Sequence, residues 1–120
     1  MIFNQKNKSK KRLLEAFGTL KTDPFNFKQI EKFFRKKDHS NTYHTLSDKT
    51  FADLDFDEVF KFVDRTTSRV GQQYLYNKLR TISSNSTETD KQEKLIKEFG
   101  TNPDFRVSVQ YQLNKLNAYE

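Results

Sequence analysis

Hydrophobic side chains recur at helical spacing along almost the whole chain, and no alternating pattern typical of a strand competes with it. The first apolar stripe predicts a helix over about residues 8–20 and consists of Leu13, Leu14, Phe17 and Leu20. After a proline-containing break, Asn26 has the position of a cap for a second helix, which runs to the basic residues 35–37. Residues 38–50 are polar and aperiodic, which predicts a loop that contains both histidines.

Capping residues predict where two helices begin in the middle of the chain. Asp55, with Glu58 three residues later, has the spacing of a capping box and predicts a helix to about residue 66. The side chains expected on its buried face are Phe56, Val59, Phe60 and Val63. Ser68 predicts the cap of the next helix, over about residues 69–82.

The last third of the chain predicts two more helices. A polar run from Thr81 to Asp90 predicts a flexible connector. A helix over about residues 89–99 is expected to end at Gly100, because glycine commonly follows the last helical residue. Asn102 as a cap and Pro103 as the first helical residue predict a final helix. The expected fold class is therefore all-α, a bundle of five or six helices.

Composition favours a single domain with a phenylalanine-rich core. The chain has 120 residues, which is room for one domain, and 12 of them are Phe. Cysteine is absent, which excludes disulfides and thiolate metal sites. With only three glycines there is no glycine-rich phosphate loop and no complete nucleotide site. No apolar run approaches the roughly 18 residues of a membrane span, and no signal peptide is evident, so we expect a cytoplasmic protein without a membrane segment.

The net charge of +6 is unevenly distributed. Residues 1–37 carry eleven basic and three acidic side chains, whereas residues 38–120 carry eleven and thirteen. Candidate phosphate contacts fall in two basic groups: Lys6, Lys8, Lys10, Lys11, Arg12, Arg35, Lys36 and Lys37. This asymmetry favours either a contact with DNA or a basic arm on an acidic partner, and the alternative is a solvated leader and helix end.

No arrangement of residues predicts catalysis or metal binding. The acidic spacing over residues 53–64 imitates a calcium loop, but Glu58 stands where that loop needs glycine for a sharp turn. His39 and His44 lie five residues apart in the predicted loop, with no cysteine to complete a zinc site. Tyr74 could stack on bases, but helical spacing favours a place in the core. We therefore expect no catalytic residue, metal or cofactor in this chain.

Three motifs follow one another in the middle of the chain. They are Asp-Leu-Asp-Phe-Asp-Glu-Val-Phe at 53–60, Val-Asp-Arg-Thr-Thr-Ser at 63–68 and Gly-Gln-Gln-Tyr-Leu-Tyr at 71–76. A helix over 91–99 and an Asn-Pro-Asp-Phe-Arg run at 102–106 come next. Their order and spacing resemble the start of the helical core, or lever, domain of the MutS family of DNA mismatch-repair ATPases. The Gly-Gln-Gln variant is most similar to the shorter MutS-like proteins of bacteria that lack a mismatch-reading domain.

The resemblance covers about residues 46–118 and implies a division of one domain into two segments. Residues 46–120 would be the MutS-like core or lever segment, and residues 1–45 a basic N-terminal helical segment. The resemblance implies that the following residues pack and cap a structural corner: Asp64, Arg65, Thr66, Gly71, Leu75 and Leu79. Arg65 and Arg69 flank this corner, where they would either pair with Asp64 or reach phosphates.

The function implied by the resemblance is architectural. The chain would be part of a longer MutS-like protein and would couple the ATP state of that protein to DNA binding. Neither the mismatch-reading residues nor the phosphate loop of the family is present, so the chain by itself is not expected to be an enzyme. ATP and Mg²⁺ are implied for the parent protein only. The implied partners are the other domains of the parent, including an ATPase domain, together with DNA and a second copy in a homodimer.

Two other functions stay open on sequence grounds. The first is a DNA-binding module that uses the basic N-terminal segment directly. The second is a protein-interaction domain that buries exposed phenylalanine on a partner. Phe62 is the residue that favours this second alternative, because it lies off the apolar face predicted for its helix.

Overall fold

The computed structural model describes residues 2–83 and 86–119, and it is mostly helical with one small sheet. The helices are α1 (Ile2–Ala16), α2 (Phe27–Ile30), α3 (Lys32–Lys36), α4 (Asp48–Asp53), α5 (Phe56–Val63), α6 (Arg69–Arg80), α7 (Ser86–Thr101) and α8 (Pro103–Lys115). A 3₁₀ turn at Leu116–Tyr119 follows α8. Strands β1 (Thr42–Thr45) and β2 (Thr81–Ser83) pair antiparallel. None of the helices within the described ranges has the length and apolar character needed to cross a membrane.

The two-stranded sheet corrects the expectation of an all-α fold. β1 lies in the segment predicted as a loop, and β2 lies at the start of the predicted connector. The strands have four and three residues, too short for a clear alternating pattern. Their pairing depends on a distant contact, because the backbone N–H of Leu46 donates to the carbonyl of Arg80 at 2.8 Å. Residues 84 and 85 of the predicted connector lie outside the described residues.

Three of the predicted helix caps are confirmed. The side chains of Asn26, Ser68 and Asn102 each accept a hydrogen bond from the backbone N–H three residues later. Asp55 is different: helix α5 begins directly after it as predicted, but its side chain makes no capping hydrogen bond. Asp55 instead takes a left-handed conformation, with φ at 51°, where the chain reverses between α4 and α5. Aspartate is one of the few non-glycine residues that adopt this conformation readily.

Several predicted helix ends are wrong. α1 ends at Ala16 rather than near residue 20, and Gly18 follows with φ at +78°. The second predicted helix is divided at Glu31 into α2 and α3. Gly100 does not terminate α7, which continues to Thr101 and already begins within the polar run at Ser86. Asn102 then caps α8 directly after the end of α7.

The hydrophobic core is a cluster of rings that α6 shares with the short helices. Its buried members are Ile30, Phe34, Phe51, Phe60 and Tyr76. Phe25, Phe27, Phe56, Leu75 and Leu79 are partly buried against them. The Tyr76 ring meets Phe60 edge-on, with centroids 5.7 Å apart. Tyr74, predicted for the core, is exposed instead, because the side of α6 that faces the ring cluster carries Tyr76.

Arg80 is buried beside this cluster, although arginine rarely lies in a protein interior. Its guanidinium carbon lies 4.2 Å from the centroid of the Phe34 ring and 4.7 Å from that of Phe51. Its N–H groups donate to the carbonyl of Leu46, to the Tyr76 hydroxyl and to the Asp48 carboxylate. The burial is therefore compensated by hydrogen bonds and by the faces of the rings.

A second packing unit joins α1 to the C-terminal helices. Leu13 of α1 and Val107 of α8 are both buried. Just after the end of α1, the centroid of the Phe17 ring lies 3.6 Å from the guanidinium carbon of Arg106 near the start of α8. Near the start of α1, the ammonium of Lys6 lies 5.7 Å from the centroid of the Tyr111 ring, further along α8. These contacts show that α1 and α8 run antiparallel.

The predicted buried face of α5 is only partly confirmed, and the contrast between Phe60 and Phe62 can be tested by substitution. Phe60 is fully buried, whereas Val59 and Val63 are half-exposed and Phe62 is 65% exposed. We expect Phe60→Ala to lower the free energy of unfolding by about 3–5 kcal/mol, because it opens a cavity in the core. Phe62→Ala, the matched control on the same helix, should change it by less than about 0.5 kcal/mol. Chemical denaturation followed by circular dichroism measures both, and equal losses would contradict this description of the core.

Candidate functional site

The corner between α5 and α6 is organised around the buried carboxylate of Asp64. This side chain has no exposed surface. Lys21 donates to it from its ammonium at 2.9 Å, and Gln72 donates from its side-chain amide at 2.8 Å. The backbone N–H of Thr66 donates at 3.0 Å, and the Thr66 hydroxyl donates to the same oxygen. Residues from three separate segments therefore meet at one negative charge.

Local sequence explains how the chain turns at this corner. α5 ends at Val63, and Asp64 adopts an extended conformation. In this conformation its carboxylate accepts a hydrogen bond from the backbone N–H of Thr66. Ser68 then begins α6 by accepting a hydrogen bond from the N–H of Gly71 at 3.0 Å. A Cβ atom at Gly71 would lie only 3.0 Å from the Ser68 hydroxyl oxygen and 3.6 Å from Cβ of Thr66. The corner is therefore closed at the point where the resemblance places a glycine.

The electrostatics of Asp64 follow from two opposing effects. Burial by itself raises the pKa of this carboxyl group, since it disfavours the charged form. The hydrogen bonds from Thr66, Gln72 and Lys21 favour the carboxylate and outweigh burial, so the pKa of Asp64 lies below its ordinary value. The carboxylate is therefore the form that stabilises the folded chain at neutral pH.

The two arginines beside the corner do not pair with Asp64. Arg65 donates to the carbonyls of Gly18 and Phe62, which ties the loop after α1 to the end of α5. Arg69 donates to Asn117 from both its backbone N–H and its guanidinium. The partner of Asp64 is Lys21, which sequence reasoning did not single out because 43 positions separate the two residues. The other two predicted corner residues, Leu75 and Leu79, pack against the ring cluster one and two turns further along α6.

The first predicted basic group divides over different faces of α1. Lys6 and Lys10 lie over the ring of Tyr111 on α8, each with its ammonium 5.7 Å from the ring centroid. Lys8 is exposed, and Lys11 forms a long ion pair of 3.9 Å with Glu15. The side chain of Arg12 turns to another side, where it lines an open groove of about 460 Å³ together with residues of the corner.

The second predicted basic group is largely held by neighbouring side chains. Arg35 forms ion pairs with Asp48 at 2.8 Å and with Glu31 at 3.3 Å. These two carboxylates raise the pKa of the guanidinium above its ordinary value. Lys37 lies 5.4 Å from the centroid of the Phe33 ring, and Lys36 is exposed.

The histidines and the acidic run do not build a site. His39 is partly buried, with its Nε2 atom 2.7 Å from the carbonyl of Phe34, whereas His44 is exposed on β1. Within residues 2–83 and 86–119, no three histidine or acidic side chains come close enough to hold a metal ion. Comparisons with protein-family models, with curated proteins and with solved structures find no match to this chain. The functional argument therefore depends on the corner and on the exposed charges.

The Asp64 network generates a prediction for stability and its pH dependence. We expect Asp64→Asn to lower the free energy of unfolding by about 3 kcal/mol at pH 7, because Lys21 loses its partner. Since the pKa of Asp64 is lowered on folding, the carboxylate stabilises the fold above the pKa of the unfolded chain. This stabilisation is lost as the pH falls through the lower, folded-state pKa. Urea denaturation at several pH values should therefore show the two proteins converging in acid.

Asp90→Asn on α7 is the matched control for that experiment, because Asp90 is exposed and the substitution is chemically identical. It should change the unfolding free energy by less than about 0.5 kcal/mol. A constant difference between wild type and Asp64→Asn down to the most acidic pH would contradict the role assigned to this carboxylate.

The closed corner generates a second prediction, at Gly71. We expect Gly71→Leu to destabilise the chain by about 1–3 kcal/mol, because the added side chain meets Ser68 and Thr66. Gly100→Leu is the control, since a Cβ atom at Gly100 would meet nothing within 4 Å. A thermal melt should show a loss for the first variant alone, and an unchanged melt for Gly71→Leu would remove the argument for a tight corner.

Proposed function

We propose that this chain is the N-terminal helical part of a MutS-like core domain and that it acts as a mechanical element in a longer DNA-dependent ATPase. In this proposal the corner transmits movement between an ATP-binding domain and the part of the protein that contacts DNA. ATP and Mg²⁺ bind elsewhere in the parent protein. The chain contributes a fixed angle between helices rather than a catalytic group.

The observation that carries the proposal is the network around Asp64. Residues that match the MutS-like motif, namely Asp64, Thr66 and Gly71, are also the ones that close the corner. The network extends from there to Lys21 in the segment after α1 and to Gln72 in the first turn of α6. A movement of α6 is thus passed directly to α5 and to that segment, which is what a coupling element requires.

A protein-interaction domain is the second candidate, and one observation favours it. Along the outer side of α5 the side chains of Val59, Phe62 and Val63 are 42%, 65% and 41% exposed. Under the first proposal this row contacts another domain of the parent, and under the second it contacts a separate protein. Phe62→Glu tests both readings, since it should leave the fold of this chain intact and weaken only the contact that the row makes.

The experiment for the main proposal uses the full gene product that contains this sequence. Its reading frame should encode a glycine-rich phosphate loop, and the purified product should hydrolyse ATP faster when DNA is added. We expect Asp64→Asn to leave the DNA-free ATPase rate within about twofold of wild type and to abolish most of the stimulation by DNA. Gln72→Leu removes one hydrogen bond from the same network and should give a smaller loss in the same direction.

Asp90→Asn is again the control and should retain full stimulation by DNA. All variants are compared below the melting temperature of the least stable one, so that unfolding does not enter the rates. A product without a phosphate loop would overturn the proposal, and so would normal stimulation in the Asp64→Asn protein.

A further inference from the structure

We propose that the end of the molecule where the start of α1 meets the end of α8 is a binding site for the phosphate backbone of duplex nucleic acid. The site consists of Lys6, Lys10 and Lys115 around the ring of Tyr111. It is a direct contact surface, distinct from the corner, and the proposal does not depend on the coupling function proposed above.

The three ammonium groups converge on one ring although they come from opposite ends of the chain. Lys6 and Lys10 each lie 5.7 Å from the centroid of the Tyr111 ring, and Lys115 lies 4.9 Å from it. The antiparallel packing of α1 on α8 produces this arrangement. Among the described residues, no acidic side chain forms an ion pair with any of the three lysines.

This arrangement brings three positive charges together around one ring in the unbound molecule. Three like charges repel one another around a single ring, and one ring face attracts a cation only weakly at an exposed position. A bound anion removes the repulsion and supplies the missing negative charge. The cluster is therefore suited to an anionic ligand.

The chemistry of the cluster points to phosphates along a backbone. Lysine binds phosphate as a compact point charge, whereas planar carboxylates are matched by the fork of arginine. Lys6 and Lys10 are one helical turn apart, about 6 Å along the axis of α1. This separation suits contacts with successive charges in a row rather than with one enclosed group. The Tyr111 ring is partly buried under the ammonium groups, which leaves it unsuited to stacking on an unpaired base. Duplex phosphates are the ligand that fits these features.

The structure also separates this cluster from the other basic residues near it in sequence. Arg35 is held in ion pairs with Asp48 and Glu31. Lys8 and Lys11 do not join the ring cluster, and Lys11 is paired with Glu15. The site is therefore defined by tertiary contact and includes Lys115, which lies far from both basic groups in the sequence.

The test measures the affinity of the chain for a fluorescently labelled 20-base-pair DNA duplex by anisotropy, at several salt concentrations. The site variant is the triple substitution Lys6→Gln, Lys10→Gln and Lys115→Gln. The matched control is Lys91→Gln, Lys94→Gln and Lys97→Gln, which removes three exposed lysines from α7 and lowers the net charge by the same amount. Circular dichroism and thermal melts establish that both proteins are folded.

We expect the site variant to bind at least about tenfold more weakly than wild type at low salt. The slope of log K against log salt should become smaller by about 3, one unit for each lost phosphate contact. The α7 control should keep most of the wild-type affinity and slope. A labelled single strand of the same length should bind less tightly than the duplex.

Three results would overturn the proposal. The first is a wild-type chain that does not bind the duplex at low salt. The second is an equal loss of affinity in the site variant and in the α7 control, which would show that net charge alone is responsible. The third is tighter binding of the single strand that is lost in a Tyr111→Leu variant, which would show base stacking on the ring.

Discussion

The structure depends on a buried negative charge that cannot remain buried unless three separate segments meet around it. Desolvation of the Asp64 carboxylate is costly, and it is compensated by the hydrogen bonds that Lys21, Thr66 and Gln72 donate to it. This requirement fixes the segment after α1, the end of α5 and the first turn of α6 in one geometry. Apolar packing alone would tolerate small changes in these angles, whereas directed hydrogen bonds to a buried charge tolerate few. The corner is therefore rigid for an electrostatic reason.

A buried positive charge has the corresponding role at the other end of α6. Arg80 lies against the rings of Phe34 and Phe51 and donates to the carbonyl of Leu46, which follows β1. The small sheet is thus held next to the end of α6 by a side chain of that helix. With Gln72 at one end and Arg80 at the other, α6 connects both buried charges across the ring cluster. A helix anchored in this way is held in place at both ends by hydrogen bonds to buried charges.

The exposed basic side chains are arranged differently in the folded molecule from what the sequence suggests. Net charge and the two basic groups of the sequence suggest a broad basic surface on the first third of the chain. In the folded molecule Arg35 is already neutralised by neighbouring carboxylates, and the lysines of α1 point to different sides. The exposed basic side chains that converge on one ring are those that α1 and the end of α8 contribute around Tyr111. The coupling proposal and the nucleic-acid proposal therefore depend on different residues, and each can fail without the other.

The sequence by itself determined the features whose physical cause lies within one helical turn. The caps at Asn26, Ser68 and Asn102 were predictable because each side chain reaches a backbone N–H only three residues away. The predominantly helical fold was predictable for the same reason. Only the tertiary structure decided the pairing of β1 with β2, the choice of Tyr76 over Tyr74 for the core, the partner Lys21, and the packing of Lys6 and Lys10 on Tyr111. These features depend on which segments distant in sequence pack together: β1 meets β2, Lys21 meets Asp64, and Lys6 and Lys10 of α1 meet the Tyr111 ring that Lys115 already contacts within α8.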